Sequence, residues 1–295
     1  MRIAKHDTSI NSTVVIGSTG MTGRRLVPKL AARGVTVRAT SRKPTANQVL
    51  FDWSNPETYD AALRGTDSVF LITSTMVEDP SDMVSTLLDH AKESGVRRIV
   101  LLASMGLEFS HENGTSGRHK VESVIKESPF EWVVLRSGGF AQNFSESFLL
   151  PGILHANMIA TATGNGATAF VDVEDIAEVA ALAMLQTEMA GSTFTLTGPS
   201  ALTFGEAARQ ISQVAERTIL YNPLSAEEFL EVLRGAGVPA DFASVLVKDQ
   251  EAIRAGEGAR VSEDIPKLLN REARGFKSFV TDAKNAWAQK QSTSS

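Results

Sequence analysis

Three glycines, Gly17, Gly20 and Gly23, lie between a short β-branched run and a helix-like segment in VVIGSTGMTGRRL, residues 14–26. A helix N-terminus leaves backbone N–H groups unpaired and carries partial positive charge, so a phosphate fits there. Glycines let the chain turn tightly and approach a pyrophosphate closely. The spacing is GxxGxxG, whereas the commoner signature is GxGxxG, which is weak on its own. The order strand, glycine turn, helix is the context that dinucleotide binding requires. Gly17, Ser18, Thr19, Gly20, Met21, Thr22 and Gly23 are therefore expected to bind a dinucleotide, against the bland alternative of a plain bend.

The end of the next strand selects the cofactor. An NAD site usually places an acidic residue about 20 residues beyond the turn, on the ribose 2′-hydroxyl. Here the text is VRATSRKP, and no Asp or Glu occurs between Gly17 and Phe51. Ser41, Arg42 and Lys43 instead supply a hydroxyl and two cations, which suit a 2′-phosphate. NADP(H) is preferred over NAD(H). Asp52, after a presumed third strand, either accepts from the adenine amine or caps a helix. Thr73 and Ser74, after the fourth strand, belong to the expected cofactor-binding set.

The catalytic side is sparser. Many dehydrogenases of this topology use a Tyr-x-x-x-Lys pair, but Tyr59 and Tyr221 are both without a lysine four residues on. Where the pair would stand, the sequence reads GRHKVESVI. His119 is the expected proton donor, or a merely exposed ring. Lys120 contacts the cofactor or pairs on the helix surface with Glu122. Ser104 ends the fifth strand, and ligands in such sheets bind outside the carboxyl ends of strands, so it should face the nicotinamide. After the sixth strand, RSGGFAQNF offers Gly138 and Gly139 for close backbone approach. Phe140 and Asn143 then line the acceptor pocket, or serve as core and turn. An acceptor that is already charged or conjugated needs positioning more than acid catalysis.

The elements that must hold these residues follow from the pattern. Apolar runs at 13–17, 35–40, 67–73, 97–104 and 131–136 alternate with helical spacing at 24–33, 56–63, 81–94 and 117–128. Strands apolar on both faces, alternating with helices, predict a doubly wound parallel α/β sheet of the Rossmann type. Gly34, Gly65 and Gly95 fall where left-handed helix ends are wanted. A further short strand and helix are expected over 170–185, with Asp172 at the helix start, and a last strand over 192–198. Helical patterns then dominate (203–216 and 226–236). The expected division is an arm over 1–12, a cofactor domain over 13–199 with a substrate-lobe insertion near 140–170, and a smaller, mainly helical lobe over 200–290.

Composition excludes several functions. There is no cysteine, so disulfides, thiolate catalysis and cysteine metal sites are out. Five histidines show no ligand spacing, and no metal is expected. Net charge is −5, which provides no field for nucleic acid. No apolar run reaches membrane-spanning length, and residues 1–12 lack a signal-peptide core. The expected compartment is the cytoplasm and the expected partner a small-molecule acceptor, with a homodimer as an allowed assembly.

With these segments laid out, the chain resembles the NmrA-like atypical short-chain dehydrogenases. The carriers are GSTGMTG, RRIVLLASMG, VVLRSGGFAQNF and FVDVEDIAEVA. More narrowly, FDWSNPETYDAAL, LTGPSALTFGEAA and the GVPADFASVL…IRAGEGARV…FKSFV tail are similar to the ergot-alkaloid-type reductases (festuclavine and agroclavine dehydrogenases). The resemblance implies an NADP(H) domain, a small lobe closing over the acceptor, and reduction of an iminium or related C=N bond. It places the pyrophosphate on Gly17, Gly20 and Gly23 and the phosphate-reading cation at Arg42. His119, Lys120 and Glu122 fit a looser family pattern. Substrate identity does not transfer. The other function class it implies is a cofactor-sensing regulator that signals to a protein partner without turnover.

Overall fold

Adjacent residues of the central strands go to opposite faces, and both faces are buried. Val15, Phe70, Val100 and Val133 join one core, while Val14, Val69, Ile99 and Val134 join another. That is the consequence of a two-residue side-chain period in strands covered on both sides.

The computed structural model describes residues 10–74 and 76–288; most of the expected arm and the terminal QKQSTSS lie outside the described residues. The first half runs β1 (Ser12–Val15), α1 (Gly23–Ala31), β2 (Thr36–Ser41), β3 (Gln48–Leu50), α2 (Tyr59–Leu63), β4 (Ser68–Leu71), α3 (Ser81–Glu93), β5 (Arg98–Ser104), α4 (Gly117–Glu127) and β6 (Glu131–Ser137). Then come α5 (Asn143–Glu146), α6 (Leu150–Ala156), β7 (Met158–Thr161), β8 (Ala167–Thr168), α7 (Val173–Leu185) and β9 (Ser192–Leu196). The chain finishes with β10 (Leu202–Thr203), α8 (Phe204–Ala215), β11 (Leu220–Pro223), α9 (Ala226–Gly235), α10 (Ala240–Arg254), α11 (Asp264–Leu269) and α12 (Phe276–Asp282).

Seven strands form one parallel sheet in the order β3-β2-β1-β4-β5-β6-β9. The order reverses between β1 and β4, which opens a crevice at their carboxyl ends. On one face Leu26 and Leu30 of α1 pack with Ile176, Val179 and Ala180 of α7. On the other, Leu63, Leu87, Val121 and Ile125 come from α2, α3 and α4. Each such side chain contributes roughly 1.5–3 kcal/mol on burial. Gly34, Gly65 and Gly95 follow their helices at φ of 80°, 67° and 80°, as expected.

A third core lies beside the sheet and draws on two separate stretches of chain. Phe144, Ile153, Ile159 and Phe170 meet Phe204, Ile211, Phe276 and Trp287. β7 pairs with β11 in parallel, Met158 opposite Leu220, and β8 pairs antiparallel with β10. The region after Pro199 therefore contributes strands as well as helices. The strand expected at 170–172 is a single bridge, Phe140 to Val171. It stops there because Asp172 turns the chain into α7, accepting from the Glu174 amide at 2.9 Å.

Candidate functional site

The glycine turn has the local geometry its residues foretell. Gly17 sits at φ 76°, where only glycine is at ease, and its carbonyl accepts the Gly20 amide at 3.0 Å. A Cβ on Gly23 would lie 2.2 Å from that carbonyl and 2.7 Å from Ser18 Cα, so only glycine lets α1 begin directly beneath the turn. The amides of Ser18, Thr19, Met21 and Thr22 meet no acceptor among the described residues, and α1 has no side-chain cap. The Thr22 hydroxyl is buried with no hydrogen-bond partner among the described residues. A buried orphan hydroxyl calls for a missing partner. Together with open amides at a helix start, it fits a dinucleotide pyrophosphate. The Ser18 hydroxyl faces inward instead, donating to Thr40 O at 2.8 Å, and so fastens the turn to β2.

From this turn a cavity of about 580 Å³ runs across the carboxyl ends of β4, β5 and β6. Its floor is Gly20, Met21 and Thr22, then Thr73, Ser74 and Ser104, then Gly138, Gly139, Phe140 and Asn143. One side is the first turn of α4, with Ser116, Gly117 and Arg118. Phe242, Val245, Leu246 and Asp249 of α10 form the roof. A smaller chamber of about 170 Å³ adjoins it through Ser104, Gly138, Gly139 and Asn143, walled by Phe109, Phe144, Phe148, Phe170 and Phe204. Phe148 stands there 63% exposed. Phe140 both lines the cavity and packs against the sheet core. Asn143 opens α5 with its neighbour Gln142 clamped between the Asp172 carboxylate (2.7 Å) and the Val173 amide (2.8 Å).

Other expected residues lie apart from this cavity. Ser41 and Arg42 stand at the end of β2; the Ser41 hydroxyl accepts the Lys43 amide at 3.1 Å. Arg42 is exposed and bonds to no carboxylate among the described residues. Asp52 accepts from Ser54 through both its amide (2.9 Å) and its hydroxyl (2.8 Å). Those bonds, helped by the nearby Arg42 charge, hold its carboxyl below the usual range. The helix-capping alternative for Asp52 fails, since Asn55 caps the next turn.

His119 and Lys120 stand off the cavity lining. His119 is not among the residues lining the cavity. Its Nδ1 lies 2.9 Å from Glu112 Oε2 and 3.2 Å from Ser116 Oγ, which puts the ring behind the wall. Lys120 is also off the cavity, and its amine donates to Asp79 at 2.5 Å. Its expected partner Glu122 is taken by Arg136 at 2.6 Å and Lys126 at 2.5 Å. The Lys120 ammonium holds the Asp79 carboxyl below its ordinary range.

Arg118 joins floor and roof. It reaches Asp249 of α10 with two bonds, 2.9 and 3.0 Å, and also bonds Glu112. His111 Nε2 lies 3.2 Å from the same Asp249. Burial pushes the Glu112 carboxyl up, but Ser116, Arg118 and His119 outweigh it and hold it low. Neither tyrosine lines the cavity: Tyr59 donates to Trp53 O at 2.8 Å, and the Tyr221 hydroxyl meets Thr161 and Thr163. The α10 roof went unread in the sequence. Its signal was there, since Phe242, Val245, Leu246 and Asp249 recur at i, i+3, i+4 and i+7.

Comparison with known proteins agrees with this geometry. A family model described as NAD(P)H-binding matches residues 17–187. The chain belongs to that family. Among relatives of this NAD(P)H-binding protein is the uncharacterised oxidoreductase YesF of Bacillus subtilis, 31% identical over 94% of this chain and 96% of its own. The NAD(P)H azoreductase of Xenophilus azovorans is 28% identical over 90% of this chain and 96% of its own. Festuclavine synthase II of Penicillium roqueforti is 26% identical over 93% and 99%. The resemblance to the ergot-alkaloid enzymes is thus real at family level, with no greater closeness than to the azoreductase. The fold is shared with Citrobacter triphenylmethane reductase complexed with NADP(H), at TM-score 0.71, 22% identity and coverage of 92% and 99%. The NADPH-dependent quinone oxidoreductase QOR2 of Escherichia coli gives 0.73, 21%, 92% and 99%. The transcriptional regulator NmrA, solved with NAD, gives 0.69, 16%, 93% and 95%. Among the described residues no helix is long and apolar enough to cross a membrane, and no His, Cys, Asp or Glu cluster could hold a metal ion.

Proposed function

We propose that this chain is an NADPH-dependent reductase that passes hydride to a small conjugated acceptor of iminium, imine or quinone type. The observation that carries the reading is the single cavity joining an open glycine turn to an apolar roof. Such a cavity lets a dinucleotide and a flat acceptor share one dry space at reacting distance. Relatives and fold neighbours named for azo, quinone and triphenylmethane acceptors support the class.

In this reading Gly17–Gly23 and the orphan Thr22 hydroxyl bind the pyrophosphate. Arg42, with Ser41 and Lys43, reads the 2′-phosphate, and Asp52 uses its remaining oxygen on the adenine. Met21, Thr73, Ser74, Ser104 and the Gly138–Gly139 backbone seat the nicotinamide, which supplies the hydride when bound. Phe140 and Asn143 hold the acceptor beneath α10, and the Phe109–Phe148 chamber receives its far end. Residues 13–199 serve as the cofactor domain, and residues 140–170 and 200–290 as the lobe.

The test is loss of reduced-nicotinamide absorbance with a panel of quinones, imines and triarylmethane dyes, using NADPH and NADH in parallel. Turnover with at least one acceptor, faster with NADPH, is expected. Tight NADP(H) binding with no turnover on any acceptor would overturn the reading in favour of a redox-sensing regulator.

A further inference from the structure

Reducing a neutral quinone or imine adds a proton as well as a hydride, and the charged side chains lining the cavity are Glu78, Arg118 and Asp249. Arg118 carries no transferable proton at neutral pH, and Asp249 is held by Arg118 at 2.9 and 3.0 Å. Among the cavity hydroxyls, Ser104 Oγ accepts the Gly106 amide, and Ser137 Oγ donates to Ala103 O. Thr22 lies in the glycine turn, and the described hydroxyls of Thr73 and Ser74 meet no titratable side chain. Ser116 differs from all of these. It lines the cavity, caps α4 by accepting the His119 amide at 3.3 Å, and lies 3.2 Å from His119 Nδ1. The same Nδ1 lies 2.9 Å from Oε2 of Glu112, which is 3% exposed, so its hydrogen is shared between Glu112 and Ser116, while the ring itself keeps 23% exposure to solvent.

We propose that the Ser116 hydroxyl delivers the proton to the acceptor, with His119 replenishing it from solvent and Glu112 positioning the ring. The inference rests on the reductase reading above and deepens it. The acceptor carbon gains hydride, with its electron pair, from the dihydronicotinamide, which is thereby oxidised. The π pair moves to the acceptor nitrogen or oxygen, which takes the Ser116 Oγ proton. Ser116 takes one proton from the His119 imidazolium, leaving neutral imidazole, which regains a proton from water. A serine alone is a poor acid; coupled to a histidine it becomes a relay. Glu112 and His111 from the loop before α4, Arg118 from α4, and Asp249 from α10 form the charged cluster around this ring, with the Asp79–Lys120 pair beside the next turn of α4.

The test exploits acceptors that differ in proton demand. A quinone needs the proton, whereas a cationic triarylmethane dye becomes neutral on gaining hydride alone. Ser116→Asn keeps an N-cap acceptor but has no hydroxyl proton to give. It should lower the ratio of quinone to dye turnover by about 100-fold, with general acid catalysis ordinarily giving 10²–10⁴-fold. Ser116→Thr should restore the ratio. His119→Gln should lower quinone turnover and spare the dye, since no imidazole then stands behind Ser116 to return its proton. A Ser116→Asn variant that loses both activities equally, or neither, overturns the relay and leaves the reductase reading standing. Wild-type protein inactive with every acceptor overturns both.

Discussion

The floor and the roof of the cavity are built by different chemistry. The floor is largely main chain and small hydroxyls: open amides at residues 18, 19, 21 and 22, the orphan Thr22, and the glycines of 138–139, with Met21, Phe140 and Asn143 as its larger side chains. The roof is side chain: three apolar residues of α10 and one carboxylate, fastened to the floor by Arg118. Unpaired main-chain donors suit a partner that does not vary, such as a pyrophosphate. Apolar side chains can change without disturbing the backbone, and so suit a partner that does. In the reductase reading proposed above, the glycine-turn end of the floor takes the cofactor, and the acceptor lies between the roof and the Phe140–Asn143 end of the floor.

The largest effect should come from striking the floor. Gly23→Ala puts a Cβ 2.2 Å from Gly17 O, which forces the turn to shift at a cost of about 3 kcal/mol. NADPH affinity, measured by titration, should fall at least about 100-fold, with a lower Tm. Next is the link between the two. Arg118→Met leaves Asp249 and the buried Glu112 side chain without their guanidinium, at a cost of about 2 kcal/mol. The acceptor KM should rise about 10-fold while the NADPH Kd stays within about twofold. Equal change in both constants would erase the division. A smaller and more selective loss is expected for Arg42→Ala: roughly 10-fold in NADPH affinity and little for NADH. Parallel losses would remove Arg42 from the 2′-phosphate site.

The smallest effect concerns the charged seams that hold the sides together. Burial pushes the Glu112 and Glu122 carboxyls up, but their cationic and hydroxyl partners outweigh it and hold both below the ordinary glutamate range. Groups depressed in the folded state stabilise it above their unfolded value, about 4.3. That stability is lost as pH falls through the folded value. Tm should therefore drop below about pH 4, and Glu122→Gln should make that acid limb shallower by about 1 kcal/mol. An unchanged limb would mean that the Arg136–Glu122–Lys126 set contributes nothing to stability.

How much was legible in the sequence follows the same division. β4 reads as SVFL and is buried throughout, so its run alone announces a covered parallel strand. The glycine turn is legible because the conformation at Gly17 and the contact at Gly23 each demand glycine. Val171 misled because an apolar residue in a one-bridge crossing looks the same as one in a ladder. β7 and β11 escaped notice for a different reason: neither is long, and the partner of Met158 is Leu220, far along the chain. His119 drew attention by type and position, yet a single residue of helical rotation sets it behind the cavity lining that Arg118 joins, where it reaches the cavity only through Ser116. Only coordinates distinguish a ring in a pocket from a ring behind its wall.

The position of α10 near the end of the chain also sets a schedule. Synthesis runs from the N-terminus, so the glycine turn and all seven sheet strands leave the ribosome before any of the roof. β9, the outermost strand beside β6, follows only after α5–α7 have been made. Residues 240–254, which shut the cavity, emerge later still. A nascent chain would thus display the glycine turn and the crevice beside it open on one side before the roof exists.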